Sequence, residues 1–156
     1  MIAKKKEFAI RDILSTLYFL LYTVSMRYLG IDYGSKRVGI AISDPEKKFA
    51  FPLIVLDNNH ETLEDIVELC RDNSVEAIVV GESKDFNQKD NKIMEEIKPF
   101  VEALKAELKF PIYMHPEFFT SMEAERVQGK NHMHDASAAA LILTSFLGSI
   151  NNESIL

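Results

Sequence analysis

The sequence predicts one mixed α/β domain with a five-stranded sheet and helices on both faces. Three observations support this class: three consecutive β-rich runs, a later alternation of helical and strand-like segments, and a length of 156 residues, which suits one domain with a substantial core. The predicted order of elements is βββ-α-β-α-β-αα. Apolar residues form 47% of the chain and charged residues 27%, a balance that excludes a disordered or fibrous protein.

The first three strands are predicted to form a meander. The runs 28–32 and 38–43 are apolar and flank a Gly-Ser-Lys sequence at 34–36, which is typical of a tight hairpin turn. A third β-rich run covers 50–56 and contains Pro52. This proline favours an edge strand, because proline has no backbone N–H and so cannot donate a hydrogen bond to a neighbouring strand.

Helical and strand-like segments alternate in the middle of the chain. Apolar residues recur at helical spacing over 62–73, and the period then changes to a continuous apolar run over 77–80. Such a run predicts a strand that is buried on both faces. A long charged helix with Pro99 inside it is predicted over 89–108.

A short strand and two helices complete the predicted domain. The strand covers 111–114, and the first helix covers 121–127. The last helix covers 135–147 and is predicted to end at Gly148, because glycine commonly terminates helices. Its alanines are small enough for the helix to lie close against the sheet.

Residues 1–25 differ in composition from the rest of the chain. Three lysines precede an apolar run over 13–24, which is shorter than the roughly 20 residues that a membrane span needs. The run also lacks the Ala-x-Ala cleavage site of a secretory signal. We expect 26–150 to be the functional domain and Met26 to be the natural start; the alternative for 1–25 is an amphipathic helix on the domain or on a membrane surface.

Cysteine usage and net charge bound the class of function. Cys70 is the single cysteine, which excludes an intrachain disulfide and a zinc site built on a Cys-x-x-Cys pair, so we expect a reducing, cytoplasmic setting. The chain has 18 basic and 24 acidic residues and a net charge of −6, which argues weakly against a nucleic-acid partner. A local basic face or bridging metal ions can offset that balance.

The most informative stretch is 30–41, which reads Gly-Ile-Asp-Tyr-Gly-Ser-Lys-Arg-Val-Gly-Ile-Ala. Asp32 lies near the end of an otherwise apolar strand, where an unpaired buried carboxylate costs several kcal/mol. It therefore needs a metal ion, a cation or several hydrogen-bond donors. The alternative interpretation is an aspartate that caps a hairpin turn.

Two further carboxylates stand at the ends of predicted elements. Asp135 begins the final helix, where aspartate otherwise serves as an N-cap, and Glu117 follows the last strand, where it otherwise faces solvent. Carboxylates from a strand end, a loop and a helix start offer the oxygen ligands that two Mg²⁺ or Mn²⁺ ions need for phosphodiester hydrolysis. The sequence therefore favours a shared metal site of Asp32, Glu117 and Asp135, in which Asp32 bridges both ions.

The pattern Gly-x-Asp-x-Gly-x-x-Arg-x-Gly-x-Ala-x-Ser-Asp over 30–44, together with the Asp-Ala start of the last helix, resembles the YqgF family. These are Holliday-junction-resolvase-like proteins described as pre-16S rRNA nucleases, and the similarity covers 26–147. It implies a ribonuclease H-like fold and a nuclease acting on structured RNA, in 16S rRNA 5′-end maturation, or on branched DNA. The family's acidic positions fall on Asp32, Glu117 and Asp135.

Two stretches depart from that family's pattern. The Asp-Glu-Arg-Leu-Thr-Thr loop of the family is Pro-Glu-Phe-Phe-Thr-Ser over 116–121, which keeps Glu117 but loses the flanking aspartate and arginine. The family's Gly-Leu-Pro loop is Gly-Glu-Ser over 81–83, which puts an acid at the end of a central strand. We expect Glu82 to be a loop acid that faces water, with assistance to metal binding as the alternative.

Several charged residues surround these acids in the sequence. Lys36 and Arg37 either hold a phosphate backbone as substrate-binding residues or form a solvated pair in the first turn. His115, His132 and His134 are read as surface histidines, because no His-x-x-x-His spacing supports a zinc site.

Three classes of function remain open from the sequence. The first is a two-metal nuclease that uses Mg²⁺ or Mn²⁺ and acts as a monomer on an RNA end or as a homodimer on a symmetric junction. The second is a catalytically decayed nucleic-acid-binding or ribosome-associated module. The third is a kinase-like or actin-like phosphate-binding domain, ranked last because such enzymes clamp nucleotide between two domains.

Overall fold

Five strands form one mixed sheet in the described part of the chain. The computed structural model describes residues 10, 12–17, 26–83, 92–117 and 134–153. The strands are β1 (Arg27–Tyr33), β2 (Arg37–Ser43), β3 (Ala50–Asp57), β4 (Val75–Ser83) and β5 (Ile112–Glu117), in the spatial order β3-β2-β1-β4-β5. The helices named here are α1 (Thr62–Asp72), α2 (Met94–Glu107) and α3 (His134–Glu153). The predicted helix 121–127 lies outside the described residues.

The strand directions bring three strand ends to one edge of the sheet. β1 pairs antiparallel with β2, and β2 pairs antiparallel with β3, so the predicted meander is confirmed. β1 runs parallel to β4, and β4 runs parallel to β5. The carboxyl ends of β1, β4 and β5 therefore lie at the same edge, where ligands bind in many α/β proteins.

The position of Pro52 follows from the sheet order. β3 is an edge strand, and its register with β2 shifts where Pro52 pairs with Ala41. An edge position and an irregular register are the two settings in which a strand tolerates a residue without an N–H group. The predicted edge placement is thus confirmed.

Helices cover both faces of the sheet, as predicted. On one face, α1 and α2 pack on alternate residues of the strands. This core includes Leu29, Ile31, Val38, Ile40, Ile78 and Val80 from the strands and Ile66, Ile97 and Leu104 from the helices. On the other face, α3 packs over a smaller core that includes Ala41, Val79, Ala139, Ile142, Leu143 and Leu147. Alternation of side chains along each strand separates the two cores.

Two glycines let α3 approach the sheet closely. A Cβ atom on Gly30 would lie 2.8 Å from the carbonyl oxygen of Ala139, and a Cβ atom on Gly39 would overlap the carbonyl group of Asp135. Only glycine fits at these positions without a shift of the helix backbone. The close approach matters for the site, because it fixes the first turn of α3 against β2.

Four predicted boundaries are wrong. β5 continues past residue 114 to Glu117, so Glu117 is the last residue of a strand rather than part of the loop that follows it. β4 continues past residue 80 to Ser83, because Glu82 and Ser83 pair with the last two residues of β5. α2 begins at Met94 rather than at residue 89. α3 continues through Gly148 to Glu153, because Ile150 still packs on the second core while Gly148 lies on the exposed side of the helix.

The N-terminal region is described only at residues 10 and 12–17, which are helical and exposed. Among the described residues, every helix is too short or too polar to span a bilayer.

Candidate active site

Asp32 is a buried acid on the α3 face of the sheet. Leu29 and Ile31 of β1 belong to the core under α1 and α2, whereas Gly30 faces α3. Because side chains alternate along a strand, Asp32 shares the α3 face with Gly30. The residue is 6% exposed. A carboxylate in this position is desolvated, as the sequence predicted, and needs positive charge or donors around it.

Gly39 brings Asp32 and Asp135 to the same place. Asp32 and Gly39 are direct partners in the antiparallel β1–β2 pair. The backbone of Asp135, in the first turn of α3, contacts Gly39 on the α3 face. Both acids therefore flank one glycine, although they are far apart in the chain. The helix N-terminus also favours the negative charge of Asp135, since unpaired N–H groups give it a partial positive charge.

Arg37 forms an ion pair with Asp135. Its Nε lies 2.9 Å from Oδ2 of Asp135, and the side chains are 32% and 15% exposed, respectively. Oδ2 of Asp135 is buried and accepts no hydrogen bond. The Nε–H bond therefore does not point at this oxygen, and the contact is a charge interaction rather than a directed hydrogen bond.

Lys36 and Arg37, predicted together as substrate-binding residues, have different surroundings. Lys36 is exposed at the tip of the β1–β2 hairpin. Its carbonyl accepts a hydrogen bond from the backbone N–H of Asn58 at 2.9 Å, and the side-chain amide of Asn58 donates to the carbonyl of Gly34 at 2.8 Å. The turn is therefore braced by the start of the next loop, and it presents Lys36 to solvent beside the site.

Glu117 ends β5 at the same sheet edge. Its backbone pairs with Ser83 in the parallel β4–β5 register. The registers place Asp32 level with Gly81 and His115, and Glu117 two residues farther toward the edge. Adjacent strands are about 4.8 Å apart, so roughly 10 Å separates β1 from β5. The described features of Glu117 are those of its backbone.

Carboxylate oxygens are the donors that Mg²⁺ and Mn²⁺ prefer. The buried Oδ2 of Asp135, which accepts no hydrogen bond, and the desolvated Asp32 beside the same glycine fit such an ion. Among the side chains that the structure describes, no group of three His, Cys, Asp or Glu residues has metal-binding geometry. The side chain of Glu117 lies outside the described part of the structure, so this finding does not extend to it.

Comparison with known proteins identifies the family. A family model described as "RuvX: Holliday junction resolvase" matches residues 26–149. The chain belongs to this family.

Curated relatives of the RuvX-family chain carry the name "Putative pre-16S rRNA nuclease". The protein from Lawsonia intracellularis is 33% identical over 140 residues, which cover 83% of this chain and 99% of that protein. The protein from Nitratidesulfovibrio vulgaris is 36% identical over 132 residues, which cover 78% of this chain and 93% of that protein. These similarities agree with the resemblance found in the sequence motifs.

Solved structures show the same fold. Thermus thermophilus RuvC aligns with a TM-score of 0.55 at 15% identity, covering 81% of this chain and 97% of RuvC. RuvC from the same organism in complex with a Holliday junction substrate aligns with a TM-score of 0.51 at 17% identity, covering 80% of this chain and 94% of RuvC. The predicted ribonuclease H-like architecture is thereby confirmed.

Glu82 corrects one sequence expectation for this RuvX-family chain. It lies within β4, is partly buried and pairs in register with Pro116, so it is not a loop acid that faces water. The prediction was wrong because β4 is longer than its apolar run. The longer strand carries Glu82 into the sheet, next to β5.

His115 has a structural contact that the sequence did not indicate. Its Nε2 lies 2.9 Å from Oγ of Ser145, and its ring meets Phe146 edge-on with 5.7 Å between centroids. Burial lowers the pKa of His115, while the nearby Glu82 carboxylate acts in the opposite direction. His115 therefore links β5 to α3 rather than standing free on the surface. His134 is exposed, and His132 lies outside the described residues.

The Arg37–Asp135 pair is the main contact within the candidate site that the sequence did not indicate. The sequence predicted that Arg37 contacts phosphate and that Asp135 binds metal, whereas the structure brings the two side chains together. The available signal was the Gly-x-x-Arg-x-Gly spacing: Arg37 and Gly39 share one face of β2, the face that α3 covers.

Proposed function

We propose that this RuvX-family protein is a metal-dependent endonuclease that hydrolyses phosphodiester bonds of structured RNA in 16S rRNA 5′-end maturation. Asp32, Glu117 and Asp135 are the proposed ligands of Mg²⁺ or Mn²⁺, and Lys36 and Arg37 the proposed contacts to the substrate backbone. The observation that carries the proposal is the placement of Asp32 beside Gly39 within the sheet and of the Asp135 backbone against the same glycine, at the edge where β1, β4 and β5 end.

Each residue has a chemical task in this proposal. Divalent ions bound here supply charge that activates a water and stabilises the leaving oxygen. Asp32 is held by the sheet and desolvated, so its carboxylate is fixed in place before any ligand arrives. Asp135 projects from a helix that packs directly on the sheet. Lys36, exposed on a braced turn, is suited to contact a phosphate from the solvent side.

RNA is the favoured substrate because the relatives with over 30% identity are named for pre-16S rRNA. Branched DNA is the second substrate to test, since RuvC, which shares the fold, has been solved with a Holliday junction. We propose a cytoplasmic setting and a functional domain spanning 26–150. A monomer suffices for an RNA end, whereas a symmetric four-way junction calls for a homodimer.

Cleavage assays with a matched pair of variants test the proposal. Wild-type protein with Mn²⁺ or Mg²⁺ should cut a structured RNA that carries the 16S 5′ flank, and Asp32→Asn should reduce the rate by roughly a hundredfold or more. Asp72→Asn makes the same chemical change at an exposed position at the end of α1 and should leave the rate unchanged. Equal rates for Asp32→Asn and wild type would show that Asp32 is not part of the active site.

A second candidate function is a binding module that has lost catalysis. It is motivated by Pro116 and Phe118, which replace the charged neighbours of the family's glutamate. Titration of Mn²⁺ by calorimetry separates the two candidates. Binding that Asp32→Asn abolishes supports the nuclease, whereas RNA binding without any binding of divalent ions supports the decayed module.

A further inference from the structure

We infer that Arg37 is an exchangeable counter-ion for Asp135: it neutralises this carboxylate when no metal is bound, and a divalent cation displaces it. The inference rests on the proposed function in one respect, the assignment of Asp135 as a metal ligand. It adds a role for Arg37 that precedes any contact with substrate.

The first argument is the charge balance of the site. Gly39 lets the first turn of α3 lie against β2, and the Asp135 side chain there is only 15% exposed, with Oδ2 buried. A largely desolvated carboxylate is costly without a compensating positive charge. Arg37 stands on the same face of β2 as Gly39, and its Nε lies 2.9 Å from the Asp135 oxygen. Its positive charge offsets the cost of desolvating that carboxylate.

The second argument is the form of the contact. Strong pairs between arginine and a carboxylate frequently use two parallel N–H···O hydrogen bonds. Here Nε approaches Oδ2, and yet this buried oxygen accepts no hydrogen bond. The Arg37 side chain is 32% exposed, so it can leave toward water without opening the core. A contact of this kind is weak enough for a divalent cation to replace it.

The third argument is what the exchange provides. A divalent cation that binds Asp135 displaces the Arg37 guanidinium, which then lies free at the rim of the same site. Guanidinium groups bind phosphate oxygens well, because their N–H donors match the geometry of the anion. Arg37 then becomes available to a nucleic-acid backbone only when the metal is in place, which couples substrate contact to metal loading.

Metal titration of full-length variants tests the exchange. Mn²⁺ binding is measured by calorimetry at low ionic strength for wild type, Arg37→Gln, Arg37→Lys and Asp32→Asn. Removal of the competing charge in Arg37→Gln should tighten Mn²⁺ binding by about fivefold, and Arg37→Lys, which keeps the charge, should stay closer to wild type. Lys109→Gln is the control for net charge, since Lys109 is exposed and precedes β5, at the opposite end of this strand from Glu117.

The outcomes separate this inference from the proposed function. If Asp32→Asn loses binding but Arg37→Gln binds Mn²⁺ as wild type does or more weakly, Arg37 is a fixed supporting residue and the exchange is overturned while the metal site stands. If no variant, including wild type, binds Mn²⁺, both fall. A second readout needs no variant: the Arg37 Nε–H resonance of wild type should shift on addition of Mg²⁺, and an unchanged resonance at saturating Mg²⁺ would overturn the exchange.

Discussion

At the scale of single residues, the site is built from charges that are costly to bury. Asp32 is 6% exposed and Asp135 keeps a buried oxygen without a hydrogen bond. Neither arrangement is the one that would maximise stability, since a neutral isostere avoids the desolvation penalty. Sites of this kind commonly trade folding free energy for function.

This trade predicts the stability of Asp32→Asn. Without metal, replacing the buried carboxylate by a neutral amide removes the cost of desolvating a charge, so we expect the variant to be more stable by about 1 kcal/mol, or roughly 2–4 °C in Tm. Thermal unfolding in EDTA measures the change. Asp72→Asn serves as the control and should shift Tm by far less. A marked loss of stability in Asp32→Asn would show that Asp32 is mainly a structural hydrogen-bonding residue.

His115 predicts a pH dependence of folding. Burial lowers its pKa below 6.5, so the unfolded chain binds this proton more readily than the folded protein does. The contribution to stability is therefore complete above about pH 6.5 and is lost as the pH falls from there through the folded pKa. His115→Gln should flatten this part of the Tm profile between pH 7.5 and 5.5, whereas His60→Gln, at an exposed position on the loop after β3, should not. Parallel profiles for His115→Gln and wild type would contradict the assignment.

At the scale of elements, the packing of α3 against β2 positions the site. Gly39→Ala would place a methyl group on the Asp135 carbonyl and the Ala136 backbone. We expect a loss of about 2–3 kcal/mol in the free energy of unfolding and a clear weakening of Mn²⁺ binding. Chemical denaturation and calorimetry measure the two effects.

Gly148→Ala is the matched control for this prediction. It makes the same substitution in α3, the helix that packs against Gly39, but a Cβ atom at residue 148 meets nothing within 4 Å. Because Gly148 lies inside α3, alanine should stabilise the protein by about 0.5–1 kcal/mol. If both variants behave alike, the close approach at Gly39 does not position the site.

A helix or strand could be predicted from the sequence where the residues that determine it lie close together in the chain. The β1–β2 hairpin and the edge position of β3 were predictable, because alternation, turn residues and Pro52 act within a few residues. The end of α3 was not, because Gly148 is a local stop signal that the packing of Ile150 overrides. β4 was predicted too short, since its last residues owe their strand conformation to pairing with β5.

One residue of the candidate site gave a local signal in the sequence. Asp32 could be found because a carboxylate in an apolar strand is a local anomaly, and the structure confirms its burial. The Arg37–Asp135 pair could not, because it depends on how α3 docks on the sheet. The joint metal site with Glu117 remains a prediction.

At the scale of the whole molecule, a net charge of −6 disfavours binding to the negatively charged backbone of a nucleic acid. In the proposed function, divalent ions at the Asp32–Asp135 edge offset this charge where the substrate backbone approaches. Cation loading and RNA binding should therefore be linked.

RNA binding is accordingly expected to weaken by about tenfold or more when EDTA removes divalent ions at constant ionic strength. Fluorescence anisotropy with a structured RNA under non-cleaving conditions, using Asp32→Asn as the comparison, measures the effect. Wild type should respond strongly to EDTA and the variant weakly. Equal RNA affinities with and without divalent ions would contradict the link and favour a metal-independent binding module.

The central claim is that Asp32, Glu117 and Asp135 hold divalent ions together. Anomalous diffraction from crystals soaked in Mn²⁺ tests it most directly. The account predicts density for Mn²⁺ in contact with carboxylate oxygens of Asp32 and Asp135, with Glu117 completing the site. Carboxylates that stay apart at saturating Mn²⁺, or Mn²⁺ bound only elsewhere on the protein, would contradict it.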